Sequence, residues 1–86
     1  MALTFIGIDP ETGGGNCPAV WVDTTTSVEP DLIFQGYVAD AATLAECEQD
    51  GPRPDTEAVI RVPARMVPLI REACDAAERA QLRSTA

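Results

Sequence analysis

The chain reads as a small α+β domain, with an antiparallel sheet of about four strands and a C-terminal amphipathic helix packed on one face. Three observations predict this. Residues 3–62 carry short β-branched and aromatic runs, separated by glycine, proline and aspartate turn signals. Residues 64–82 hold the longest stretch with apolar side chains at helical spacing. The length of 86 residues lies near the lower end of chains that fold alone, so one domain over 1–86 is expected.

The elements follow in order. Leu3-Thr4-Phe5-Ile6-Gly7-Ile8 is a β-rich run that stops at Asp9-Pro10, a strong turn signal. Glu11 to Asn16 reads as a glycine-rich loop. Cys17 to Asp23 is a second strand, with Cys17, Ala19 and Trp21 on one face and Val20 and Val22 on the other. Pro18 cannot donate to a ladder, which puts that end at a sheet edge or just outside the pairing. Asp31 to Val38 forms a third strand, with Leu32 and Phe34 opposed to Ile33, Gln35 and Tyr37.

Asp40 is suited to cap a short helix of Ala41, Ala42, Leu44, Ala45 and Cys47, which Gly51-Pro52 ends. Glu57 to Val62 alternates as a fourth strand, with Ala58, Ile60 and Val62 facing inward. The final helix places Met66, Leu69, Ile70, Ala73, Cys74, Ala77 and Ala80 on one face. Pro68 fits only if regular helix starts near Val67, with residues 63–66 as a lead-in turn. Residues 83–86 are expected to fray.

Composition narrows function by exclusion. The chain has no histidine and no lysine. It therefore lacks the usual acid/base near neutral pH, the commonest metal ligand and the Schiff-base amine. Neither an enzyme nor a bound cofactor or metal is expected. Cys17, Cys47 and Cys74 are too scattered for a zinc set, and read as small buried hydrophobes with free thiols. The first residues carry no basic leader, and no apolar run approaches the ~20 residues of a membrane span. A cytoplasmic chain is the expectation.

Net charge is −8, unevenly spread: through Ile60 eleven carboxylates stand against Arg53 alone, whereas from Arg61 onward arginines outnumber acids. Direct nucleic-acid binding is disfavoured, because phosphate contacts need a basic patch. An acidic body attracts basic protein surfaces, although ordinary solubility charge explains the same balance.

No motif carries chemistry. The Gly13–Asn16 loop matches neither phosphate-binding glycine pattern, and a strand follows it instead of a helix. Asp9-x-Glu11 fails calcium-loop spacing. Glu46/Glu48 and Asp55/Glu57 read as solvated surface carboxylates. Phe5, Trp21, Phe34 and Tyr37 are explained most simply as sheet packing. The sharper alternative makes Trp21 and Tyr37 partner anchors on a sheet face that the helix leaves open. Glu46, Glu48 and Asp50 are then the candidate acidic contacts. Arg61, Arg65 and Arg71, near the strand-to-helix junction, could serve an acidic patch on a second copy.

The sequence also resembles a family. Gly15-Asn16-Cys17 entering a strand, and Val62-Pro63 leading into a proline-led helix, are similar to small actinobacterial proteins encoded beside XRE-type helix-turn-helix regulators, the BldB and WhiJ-associated group. The chain lacks the R-D-S-type element that often follows the second strand there. The resemblance implies a non-catalytic, dimer-forming partner that modulates a cognate DNA-binding regulator. A small-ligand or enzyme accessory subunit using Gly13–Asn16, and an acidic DNA mimic, are the alternatives. A marginal core and a sheet edge without an evident protective device also point to a homodimer.

Overall fold

The computed structural model describes residues 3–10, 18–25 and 29–85. Expectations for the Gly13–Asn16 loop and for Cys17 lie outside the described residues. The architecture is α+β. Strands β1 (Leu3–Ile8), β2 (Ala19–Asp23) and β3 (Asp31–Gln35) form an antiparallel sheet in the order β1-β2-β3. Strands β4 (Tyr37–Val38) and β5 (Ile60–Arg61) form a separate antiparallel ladder. Helix α1 (Ala41–Asp50) lies between them in the chain, and a 3-10 turn (Ala64–Met66) leads into helix α2 (Val67–Thr85).

The expected four-stranded sheet is thus three strands plus a two-stranded ladder. The expected third strand divides at Gly36. A Cβ there would lie 2.9 Å from the Arg61 carbonyl oxygen and 3.0 Å from Val62 Cγ2. Only glycine lets the two backbones come this close, and the chain changes its pairing partner at that point. The fourth strand contributes only Ile60 and Arg61 to a ladder, and Ile60 is exposed. Val62, just beyond, is the inward residue that does reach the core.

The core lies on one side of the sheet. Val20 and Val22 project from the central strand onto Met66 and Ala73, and all four are buried. Ile6, Leu32, Val62, Leu69 and Ile70 pack around them. A bulge sets the fit at β1, where the register shifts between Phe5 and Gly7, putting both Ile6 and Gly7 against Val20. Ile6 fills the core. Gly7 leaves space for Leu69, whose Cδ2 would sit 2.5 Å from any Cβ at that position.

Helix α2 starts at Val67 after the 3-10 turn, so Pro68 falls in the first turn, where its missing N–H costs no helical bond. Pro18 precedes the first ladder residue of β2, and its carbonyl accepts from the Asp9 N–H at 2.8 Å. Asp40 caps α1, its Oδ1 accepting from the Thr43 N–H at 2.8 Å. Gly51 ends that helix in extended backbone. None of the residues of α1 is buried. Cys47 is exposed and Cys74 half-buried, so neither is the fully buried hydrophobe expected.

Gly36→Ala should destabilise the fold by about 1–3 kcal/mol, because the clash is with backbone and the ladder must give way. Gly51→Ala, with nothing within 4 Å of its Cβ, should change stability by less than about 0.5 kcal/mol. Urea denaturation of the two variants measures the contrast.

Candidate interaction surface

Strand alternation decides which side chains remain outside the core. With Val20 and Val22 under α2, Trp21 must face the other way. The ladder aligns Phe5, Trp21 and Ile33 as one row across the three strands. Leu3 stands on the same face two residues before Phe5, and Ile8, opposite Ala19, stands on it after the bulge. Among the described residues nothing covers these side chains fully: Phe5 is 56 %, Ile8 49 % and Leu3 44 % exposed, while Trp21 is half-buried. The Phe5 and Trp21 rings sit 6.0 Å apart at 57°, a tilted aromatic pair. Apolar rows of this kind on small proteins mark contact surfaces.

The acidic end of this face is defined by the ladder as well. Asp23 pairs across from Leu3 on one side and from Asp31 on the other. Asp23 Oδ1 accepts the Thr25 N–H at 2.9 Å, and hydrogen bonding to Thr25 holds its carboxyl below the ordinary 3.8.

A second surface is built from residues 37–61. This excursion is held together by polar contacts. The Ala39 N–H donates to the Val59 carbonyl at 3.1 Å, Arg61 Nη2 donates to Thr43 Oγ1 at 2.6 Å, and Arg53 Nη1 donates to the Glu57 carbonyl at 3.0 Å. No residue between 37 and 61 is buried. Tyr37 and Ile60 are exposed, and Val38 is 87 % exposed. The excursion therefore forms an arm with connections but no core.

The five residues singled out from the sequence do not form one site. Trp21 lies on the outer sheet face, whereas Tyr37 belongs to the β4–β5 ladder on the arm. Glu46, Glu48 and Asp50 lie together on α1, all exposed. Glu48 is engaged within the chain, its Oε2 3.2 Å from Arg53 Nε. Exposed pairs of this sort contribute at most about 1 kcal/mol. The Asp40 carboxyl is held below the ordinary 3.8, first by its hydrogen bonds to Thr43 and last by Arg61. The cap is thus worth most with the carboxylate ionised. Its contribution is present above the unfolded value and is lost as the pH falls through the lower folded value.

Arg65 turns inward to serve its own chain. Its Nε donates to both carboxylate oxygens of Asp9, at 2.8 and 2.9 Å, and Nη2 lies 2.7 Å from Oδ2. The Asp9 side chain is fully buried, while that of Arg65 keeps 43 % of its surface. A buried carboxylate requires such a partner. Sequence reasoning placed Asp9 in a turn and Arg65 in a basic cluster. A pair separated by 56 positions leaves no local pattern by which to connect them. Phe5 and Ile33 were also missed as surface residues, although the Val20/Val22 parity of β2, read across both ladders, would have found them.

Among the described residues no helix is long and apolar enough to cross a membrane, and no group of three or more histidine, cysteine or acidic side chains is placed to hold a metal ion. The fold and these surfaces define a small α+β protein with an apolar sheet face that no described residue fully covers. Comparison with known protein families, with curated proteins and with solved structures finds no match.

Arg65→Ala should cost about 2–3 kcal/mol, because it leaves the Asp9 carboxylate buried without its cation. Arg65→Lys should restore only part of this, since an ammonium cannot reproduce the forked contact. Thermal melts at neutral pH followed by circular dichroism rank the three proteins.

Proposed function

We propose that the protein is a non-catalytic, cytoplasmic interaction module that self-associates and modulates a basic, DNA-binding regulator of the helix-turn-helix type. The observation that carries this reading is the open row of Leu3, Phe5, Trp21 and Ile33 on a chain of net charge −8. An apolar, aromatic-centred face offers a second copy of the chain a place to dock, which is the self-association part of this reading. The surrounding carboxylates favour partners of opposite charge and speed their encounter. The resemblance to small proteins encoded beside XRE-type regulators supplies the class of partner.

Neither alternative has an observation of its own. An accessory subunit would use the Gly13–Asn16 loop, which lies outside the described residues. A DNA mimic requires carboxylates arrayed like phosphates. Asp9 is buried, Glu48 is paired with Arg53, and Asp23 and Asp40 are bound to neighbouring threonines.

Surface plasmon resonance against any helix-turn-helix regulator found encoded in the neighbouring genes tests the proposal. The association rate should fall several-fold between low and physiological salt, as charges beyond ~8–10 Å are screened. Neutralising Glu46, Glu48 and Asp50 together should slow association more than it speeds dissociation. Neutralising Glu72, Asp75 and Glu78 should matter less. Absence of binding at micromolar concentration overturns the regulator reading.

A further inference from the structure

The arm poses a physical problem. A ten-residue helix is marginal in water even with a favourable sequence, and helices in proteins draw most of their stability from packing an apolar face. Helix α1 buries no residue, and the ladder beside it is only two residues long. Polar ties fix the shape of the arm, yet Tyr37, Val38 and Ile60 stay uncovered. The outer sheet face has the complementary deficit, with an apolar row that no described element fully covers.

Whole-molecule dimensions carry the same message. The radius of gyration is 14.8 Å, against about 12 Å for a compact domain of this length. The chain exposes 6161 Å², against about 4,900 Å² for a compact monomer of its mass. The excess, roughly 1,300 Å², is more than the ~800 Å² that each partner contributes to a standard interface.

Resting on the self-association part of the proposed function, we infer that the missing cover is a second copy of this chain. The arm of each copy, residues 37–61, lies across the outer sheet face of the other, bringing Val38 and Ile60, paired across the β4–β5 ladder, toward Phe5, Trp21 and Ile33. The exchange is reciprocal, so a two-fold axis closes it and both apolar surfaces of both copies are covered by one type of contact. Edge-to-edge pairing through β1 is a poorer route, because the bulge at Phe5–Gly7 distorts that edge.

Charge gives the dimer a distinct signature. The arm carries Glu46, Glu48 and Asp50, and the sheet face ends in Asp23 and Asp31. The two surfaces are alike in sign, so salt should strengthen dimerisation by screening them. Salt should weaken binding of a basic regulator, so the two readings fail independently.

The test is complementation. Val38→Glu alters the arm and Phe5→Glu alters the sheet face, both at exposed positions that leave the Val20–Met66 core untouched. In sedimentation equilibrium the wild-type chain should be a dimer at micromolar concentration. Each variant alone should dimerise at least about tenfold more weakly. Mixed together they should recover dimer, because the unaltered arm of the Phe5→Glu copy meets the unaltered face of the Val38→Glu copy. One of the two reciprocal contacts is then intact, and the recovery also shows that both variants are folded. A wild-type chain that stays monomeric overturns the inference together with self-association. A wild-type dimer whose two variants fail to complement, or a dimer indifferent to Val38→Glu, overturns the arm exchange alone.

Discussion

The Asp9–Arg65 ion pair is the contact on which the arrangement of the molecule turns. Asp9 follows the last residue of β1 and Arg65 sits in the turn that opens α2, so the pair joins the exit of one layer to the entrance of the other. The Asp9 N–H is fastened as well, to the Pro18 carbonyl just before β2. The point where β1 ends, β2 begins and the helix starts is thereby held as one joint. A carboxylate buried this completely is costly unless its cation is in place, which makes the joint specific as well as strong.

From that joint the rest follows by geometry. Helix α2 is directed across β1 and β2, its Leu69 settling against Gly7 and its Ala73 against the central valines. Small residues at both contacts bring helix and sheet close together. One helix has only one apolar stripe, and it covers one side of three strands. The other side, with Phe5 and Trp21 at its centre, is left open as a direct consequence of building a domain from a single helix layer. Among the described residues no second layer covers this face, so the chain carries its apolar surplus outside, and the chemistry of that face is what a partner meets.

Much of this was legible in the sequence. The start of helix α2 near Val67 could be placed, because Pro68 admits few starts and the apolar spacing is regular, but the helix runs on to Thr85 where it was expected to end at Leu82. The Asp40 cap and the β2 alternation could be read for similar local reasons. What could not be read was pairing. Asp31 to Val38 looks continuous in pattern, yet Gly36 is chosen for a close approach to Arg61, a residue 25 positions away whose proximity no local window contains. Ile60 alternates as a core residue should but belongs to a ladder with no core beneath it. Hydrophobic periodicity reports that a residue has a preferred face; it does not say what that face meets. Trp21 and Tyr37 illustrate the same limit, since both are aromatic and both lie in strands, yet they are placed on different sheets.

The acidity of the chain and its open apolar face belong to one design. A small protein that exposes Phe5, Ile8 and Val38 invites indiscriminate association, and like charge is the general remedy because it opposes close approach of copies in arbitrary orientations. Carboxylates stand on the solvent-facing α1 and at the end of the apolar row, while Asp9, the buried one among the described residues, is neutralised from within by Arg65. The bulge at Phe5–Gly7 protects an edge strand by distortion where charge is absent. Association is then limited to contacts that bury enough apolar area to overcome the repulsion. On the proposed reading there are two: a second copy whose arm fits the face, and a basic surface for which the repulsion becomes attraction. On that reading the same charges select against random copies and in favour of the regulator, so one distribution of carboxylates sets the specificity of both associations.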